Sequence, residues 1–375
     1  MSAGYSVVTA LADKFRIGAA QRDKQRQLPF AEIDELSQAG IYALTVPHEF
    51  GGPGAPPSEV AQTLRILATA DPNIAQIPQS HFVYVRLLQL AGTPAQQRFY
   101  FERILRGDRL ANAQSERNTR TITDLQTELV DGRLHGTKYY CTGTLFAQWI
   151  PVLTRADEVV YLPADAPGVD IVDDWDALGQ RLTGSGTVKL DGVAVDPAWV
   201  VPRGPAFDGP TGYGAFAQLL HAAIDVGIAR AALDDAAEFV RTRSRPWFEA
   251  DVERAQDDPL LVQRFGELAV AVHAAEAALE SAGRAVDLVF AEPTDAHAGQ
   301  ASIAVATAKV LGERAAVDVS AAAYEVSGTR SAVSDLDRHW RNARTHTLHD
   351  PVRWKYQHIG RYVLDGTPPP RHGLI

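Results

Sequence analysis

The chain has 375 residues, 46% of them apolar and 22% charged, too long for one compact core and ordinary in composition for a protein of two or three packed units. Lys and Arg total 36 against 46 Asp and Glu, a formal net charge of -10 without a basic block, which excludes binding to nucleic acid or anionic membrane driven by electrostatics. A single cysteine, Cys141, rules out an intrachain disulfide, and no apolar run reaches the roughly 18 residues that span a bilayer.

Residues 1–14 lack the basic segment and apolar stretch of a signal peptide, so the expectation is a cytoplasmic protein. The first third then reads as helices. Residues 31–39, 58–70 and 81–90 place apolar side chains at helical spacing. Pro47, Gly51-Gly52-Pro53-Gly54 and Pro56-Pro57 punctuate them, and Asp71-Pro72-Asn73 suits a stop followed by a new start. Residues 93–105 form another short helix, with Gly107 beyond its end.

The character changes near Leu110. From there to Pro202 the chain holds short runs bounded by turn residues. Asp131-Gly132 and Asp191-Gly192 are two-residue hairpin signals. Val188, Leu190, Val193 and Val195 give an apolar face, and residues 158–162 and 168–172 are further strands. This is a small antiparallel β domain.

The last part is helical again. Leu220, Ile224, Ile228, Ala231 and Phe239 form one stripe. A second, longer stripe runs from Leu261 through Leu268, Val272 and Leu279 to Val286, and Ile303, Val310 and Val317 mark a third. A fourth helix is expected to begin at Asp350-Pro351, with Asp as the N-cap and Pro at the first helical position. The sequence therefore divides into helical 1–109, β 110–203 and a four-helix bundle 204–375, an α+β fold.

That order resembles the acyl-CoA dehydrogenase fold, and three stretches sharpen the likeness. Ala111-Asn112-Ala113-Gln114-Ser115-Glu116 resembles the family's first β-domain strand, beside the flavin. Lys138-Tyr139-Tyr140-Cys141-Thr142-Gly143 resembles the strand whose hydroxyl reaches the flavin ring near N5. The stretch from Arg341 to Pro351 and the closing Arg353-Trp354-Lys355-Tyr356 resemble the monooxygenase members of the fold, the dibenzothiophene and sulfone-metabolism branch. A typical dehydrogenase of this fold carries a glutamate base in the turn before its last helix. This chain has Thr345-His346-Thr347-Leu348 there.

The resemblance implies a two-component monooxygenase that uses reduced FMN (FAD is the other candidate) and O2, through a flavin C4a-peroxide, on a small sulfur-containing organic substrate. A separate NADH:flavin reductase supplies the flavin, because the chain has no Gly-x-Gly-x-x-Gly fingerprint of its own. The resemblance also implies a homotetramer assembled through the bundle. It makes His349 the acid/base, His346 its helper and His81 a substrate-side histidine. Asn112, Ser115 and Thr142 fall to the flavin ring, Trp175 to its cover, and Arg243, Arg245 and Arg330 to the flavin phosphate, often a neighbouring subunit's. The alternatives are an acyl-CoA dehydrogenase with FAD and a flavin-free scaffold. His48, His221 and His273 stand in scattered contexts with no metal-site spacing, and Cys141 reads as a buried apolar side chain.

Overall fold

Seven α-helices come first: α1 Ala3–Arg16, α2 Ala19–Gln25, α3 Phe30–Gln38, α4 Pro57–Ala70, α5 Pro72–Gln76, α6 Gln79–Ala91 and α7 Pro94–Leu105. They belong to a computed structural model that describes residues 3–117 and 119–372. Pro opens α4, α5 and α7, where a missing N–H leaves nothing unpaired. Thr93 and Gln96 close a capping box on α7, and the Asp71 side chain accepts from Asn73 N–H to start α5. The first two helices lie where the sequence reading placed no element. In α1 the buried Val8, Ala12 and Phe15 do follow helical spacing, but polar neighbours obscure the stripe.

Among the described residues seven strands follow: β1 Glu128–Val130, β2 Arg133–Lys138, β3 Trp149–Leu153, β4 Glu158–Pro163, β5 Val169–Val172, β6 Thr187–Ala194 and β7 Val200–Pro202. They form two antiparallel sheets, ordered β1-β2-β6-β5 and β3-β4-β7. Leu134, Ile150, Val152, Val160, Leu162, Val188 and Val193 fill the space between them. Asp131-Gly132 makes the expected hairpin, with φ of 49° and 72°, the signs that a type I′ turn needs. Asp191-Gly192 does not turn. It lies inside β6, where Leu134 pairs with Val193 and Gly136 with Leu190, so His135 faces two residues. Gly192, at φ 62°, serves a β-bulge, which asks for the same left-handed backbone as a hairpin turn.

The chain ends in α8 Tyr213–Thr242, α9 Pro259–Ala291, α10 Asp295–Ser327, α11 Asp337–His346 and α12 Arg353–Asp365. The three long helices pack on one another, with the shorter α12 against α10 as the fourth member. Helix α11 was not foreseen. Helices α4 and α6 pack on α8, so the N-terminal helices and the bundle share one core. Gly227 allows this approach, since a Cβ there would fall 2.5 Å from that of Ala68. Among the described residues, α8 alone is long and apolar enough to cross a membrane, and its most apolar window is 94% buried: it is the core helix of the bundle.

Asp350 is not the N-cap of the last helix. Val352 holds that position, and the Asp350 carboxylate instead lies 3.1 Å from Lys355 Nζ, with both side chains buried. A buried ammonium competes more strongly for the carboxylate than a solvated helix N-terminus does.

Candidate active site

The β side of the site is built on the segment that follows α7. Leu110 and Ala113 bridge in parallel to Trp149 and Val152 of β3. Lys138, fully buried, reaches Glu116 at 2.7 Å and the Gln114 carbonyl at 3.1 Å. This pair locks the 111–116 and 138–143 stretches together and accounts for the lysine in the second motif. Ser115 C=O accepts from Tyr139 N–H, and Thr142 C=O accepts from Asn112 N–H. The Asn112 amide is held between Tyr84 Oη at 3.3 Å and the Tyr140 carbonyl at 3.4 Å. Cys141 is buried, and burial pushes its thiol up to about 12, so it is inert at neutral pH.

Beyond Thr142 runs a ladder of hydroxyls. Thr142 Oγ1 lies 2.7 Å from Ser185 Oγ, which lies 2.7 Å from Thr183 Oγ1, which donates to the Gln180 carbonyl at 3.0 Å. Trp175 Nε1 donates to the same carbonyl at 2.7 Å, and its ring meets Tyr140 edge-on. Gln180 itself is buried at φ 50°, with neither amide atom bonded to protein.

The α side is docked onto this loop. Gln180 N–H donates to Asn342 Oδ1 at 2.7 Å, and Gly179 N–H to Thr345 Oγ1 at 2.8 Å. Only glycine fits at 179, because a Cβ would sit 2.0 Å from the Arg341 carbonyl oxygen. His339 and Arg338 pair with Asp235 of α8 at 2.8 and 2.6 Å, and Arg341 pairs with Asp23 of α2 at 2.5 Å. Helix α11 is therefore fixed from three sides just before its last residue, His346.

His346 is part of a buried relay. Its Nδ1 lies 2.5 Å from Asp225 Oδ1, and Asp225 Oδ2 lies 2.6 Å from Lys309 Nζ. On the other side His346 Nε2 lies 3.2 Å from His221 Nδ1. With both rings neutral, one tautomer satisfies every contact: His221 Nδ1–H donates to His346 Nε2, and His346 Nδ1–H donates to Asp225. Burial, then the charges of His349 and His346, hold His221 well below the usual imidazole range. Burial also lowers His346, against the pull of Asp225. For Asp225 burial acts upward, but Lys309 and His346 outweigh it and keep the carboxylate ionised. The relay ends at His349, whose ring lies over that of His221 and whose side chain is 38% exposed. Its Nδ1 is 3.9 Å from Asp350 Oδ2, which leaves Nε2 for a reactant. Burial raises the Asp350 carboxyl, but His349, Lys309 and Lys355 together hold it far below the carboxylate range.

Of the candidates read from sequence, Asn112, Ser115, Thr142 and Trp175 gather on the β side and His346 and His349 on the α side, joined through Gly179 and Gln180. His81 stands apart. It is fully buried, its Nε2 2.7 Å from the Tyr42 carbonyl, while its Nδ1 accepts from Leu110 N–H at 3.0 Å. Both nitrogens are spent on backbone, and burial drives the ring down to about 3. Arg243, Arg245 and Arg330 are exposed at the far end of α8, where Arg330 Nη1 donates to the Arg243 carbonyl at 2.7 Å. From His221 to Arg243 is about 33 Å of helix at 1.5 Å per residue, so these arginines cannot serve the site of their own subunit. His221, set aside from sequence as a scattered histidine, lies at the centre of the relay. Asp225, Lys309, Thr183, Ser185 and Gln180 were also missed. The signal for the helical ones was a His and an Asp four residues apart on the apolar α8, and a Lys and a Glu four apart on the alanine-rich α10.

A known family accounts for this layout. The acyl-CoA dehydrogenase N-terminal domain family matches residues 6–108, and the acyl-CoA dehydrogenase C-terminal domain family matches residues 219–354. Dibenzothiophene monooxygenase of Rhodococcus qingshengii is 31% identical over 97% of this chain and 94% of its own length. This chain belongs to the acyl-CoA dehydrogenase-fold flavin monooxygenases. A probable FMNH2-dependent monooxygenase of Pseudomonas putida, SfnC, is 30% identical over 97% of this chain and 95% of its own. The crystal structure of TdsC from Paenibacillus sp. A11-2 with FMN and indole superposes on this flavin monooxygenase at a TM-score of 0.93, with 30% identity and 99% of each chain covered.

Proposed function

We propose that the protein is a cytoplasmic two-component monooxygenase that takes reduced FMN from a separate NADH:flavin reductase and uses O2 to oxygenate a small sulfur compound. The observation that carries this reading is the relay that ends at the exposed His349 ring, beside a β-side cradle of amide and hydroxyl groups. Sulfur is favoured because similar proteins are named for dibenzothiophene and for methanesulfinate, both sulfur compounds.

The cradle fits a flavin ring. Asn112 and Thr142 present polar atoms on two adjacent segments joined by a backbone hydrogen bond, the Gln180 amide has neither atom bonded, and Trp175 gives an aromatic cover. When bound, reduced flavin supplies the two electrons that activate O2. The chain's own task is to hold that chemistry dry and to manage a proton. His349 Nε2 gives or takes it, and Asp350 behind Nδ1 stabilises the imidazolium when it forms. His221 stays neutral and keeps the ring in place by stacking. His81 contributes by tying down Leu110, and with it the segment that carries Asn112. The phosphate of the flavin falls to Arg243, Arg245 and Arg330 of a neighbouring subunit in a homotetramer.

A typical dehydrogenase of this fold carries its carboxylate base at the turn before the last helix. In this chain the carboxylate there is Asp350, committed to Lys355 and too acidic to abstract a carbon-bound proton. The test is turnover with a generic flavin reductase, NADH, FMN, O2 and a panel of sulfides, sulfinates, sulfones and amines. An oxygenated product that depends on the reductase is the expected result. Transfer of electrons from an acyl-CoA to an acceptor without O2 would contradict the proposal.

A further inference from the structure

The hydroxyl ladder has a direction. Gln180 C=O can only accept, so the 3.0 Å contact from Thr183 uses that hydroxyl's single proton. Thr183 then has only lone pairs to offer Ser185, and the 2.7 Å contact requires Ser185 to be the donor. Ser185 in turn has only lone pairs left for Thr142, so at 2.7 Å Thr142 must donate. All three side chains are nearly or fully buried, at 8%, 5% and 0% exposure for Thr142, Ser185 and Thr183, so bulk water does not offer them other partners. Reversing any rung would leave two oxygens facing each other at 2.7 or 3.0 Å without a hydrogen between them. The proton of Thr142 is committed inward, and towards a ligand its oxygen can only accept.

Oxidised and reduced flavin differ at N5. The oxidised ring has a bare lone pair there and needs a donor. The reduced ring carries an N5–H and needs an acceptor. We infer that the ladder Thr142–Ser185–Thr183, anchored on the Gln180 carbonyl, makes this site select reduced over oxidised flavin. Thr183 and Ser185 are positioning residues that set the polarity of the Thr142 contact from a distance. The inference rests on the proposed function, which places the flavin ring against Thr142. It gives that function a physical means of capturing reduced flavin and releasing it once spent.

The test is anaerobic and aerobic titration of the purified protein with reduced and oxidised FMN, reading the two Kd values without turnover. The wild type should bind reduced FMN at least about tenfold more tightly, the worth of one hydrogen bond of about 1.4 kcal/mol. In Thr183→Val the Ser185 proton turns towards Thr142, which frees Thr142 to donate outward. The ratio should then narrow about tenfold, chiefly by tighter binding of oxidised FMN. The midpoint potential of the bound flavin should fall by about 30 mV, the two-electron equivalent of tenfold. Thr183→Ser, which keeps the hydroxyl, should retain the wild-type ratio. Ser185→Ala breaks the ladder one rung nearer and should act like Thr183→Val, so a folding failure in one variant does not remove the test. Flavin binding with one unchanged ratio in the wild type and both ladder-breaking variants would overturn this inference and leave the proposed function standing. Absence of binding in either redox state would overturn both.

Discussion

The His349 ring lies on that of His221, with centroids 3.9 Å apart and planes inclined by 34°. The His349 side chain is 38% exposed and His221 is buried, so the pair divides its labour: His221 stays neutral and in place, and His349 faces the open side of the site. Behind them, Asp225 and Lys309 fix the tautomer of His346 at the root of the relay.

The Asp225–Lys309 pair should dominate the stability of the bundle core near the site. Asp225→Asn leaves a fully buried ammonium without its counter-ion and should destabilise the protein by about 3–5 kcal/mol. Asp225→Asn combined with Lys309→Met should recover most of that loss, because an apolar side chain needs no partner. Denaturant melts of the two proteins measure it. A single variant as stable as the wild type would show that the pair is not the anchor.

Glu313 gives a pH dependence of definite sign. It lies 4.0 Å from Lys309 on α10, yet burial pushes it up from 4.5 to about 7. Since the folded state holds this proton more tightly than the unfolded chain, the wild type should lose stability relative to Glu313→Gln as pH rises from 4.5 to 7. The difference should level off about one pH unit above 7, once Glu313 is ionised in both states. Parallel thermal melts of the two proteins from pH 5 to 8 test this. A wild type that gains on the variant over that interval would contradict the environment described for Glu313.

The arginines at the end of α8 should act between subunits. Arg243→Ala and Arg330→Ala should each weaken FMN binding by about 10- to 100-fold, as loss of a charge-assisted hydrogen bond does. Co-expression of Arg243→Ala with His349→Phe should restore part of the activity that each lacks alone, because in the proposed tetramer mixed assemblies would contain sites intact in both parts. A monomer by light scattering, or no restoration in the mixture, would remove the arginines from the site.

Much of this was legible in the sequence, and the failures have physical causes. Alternating apolar positions and turn residues gave the β1–β2 hairpin, β4, β5 and β6, and stripes at helical spacing gave the long helices, because burial imposes those periods directly; β3 and β7 were not read from sequence. His349, Thr142 and Asn112 were picked out as candidates by local motifs. The relay and the ladder were not. His221, Asp225 and Lys309 come from two helices distant in sequence, and each looks like a lone polar residue in an apolar run. Only the packing of α8 on α10 and α11 brings them within hydrogen-bond reach. Asp191-Gly192 misled because a bulge and a hairpin need the same backbone at glycine. Asp350-Pro351 misled because a capping signature cannot reveal that a lysine five residues on, Lys355, will be buried beside it.

The most direct test of the account is the coupling of O2 to product in His349→Phe. Phenylalanine keeps the stack on His221 and removes the proton. With reductase, NADH and a substrate that the wild type oxygenates, this variant should fold, bind FMN as the wild type does and consume NADH and O2. Product should fall by at least about 100-fold, the usual low end for loss of a general acid/base, with hydrogen peroxide in its place. Near-normal yield of product per O2 would contradict the account and reduce His349 to a structural residue of the turn.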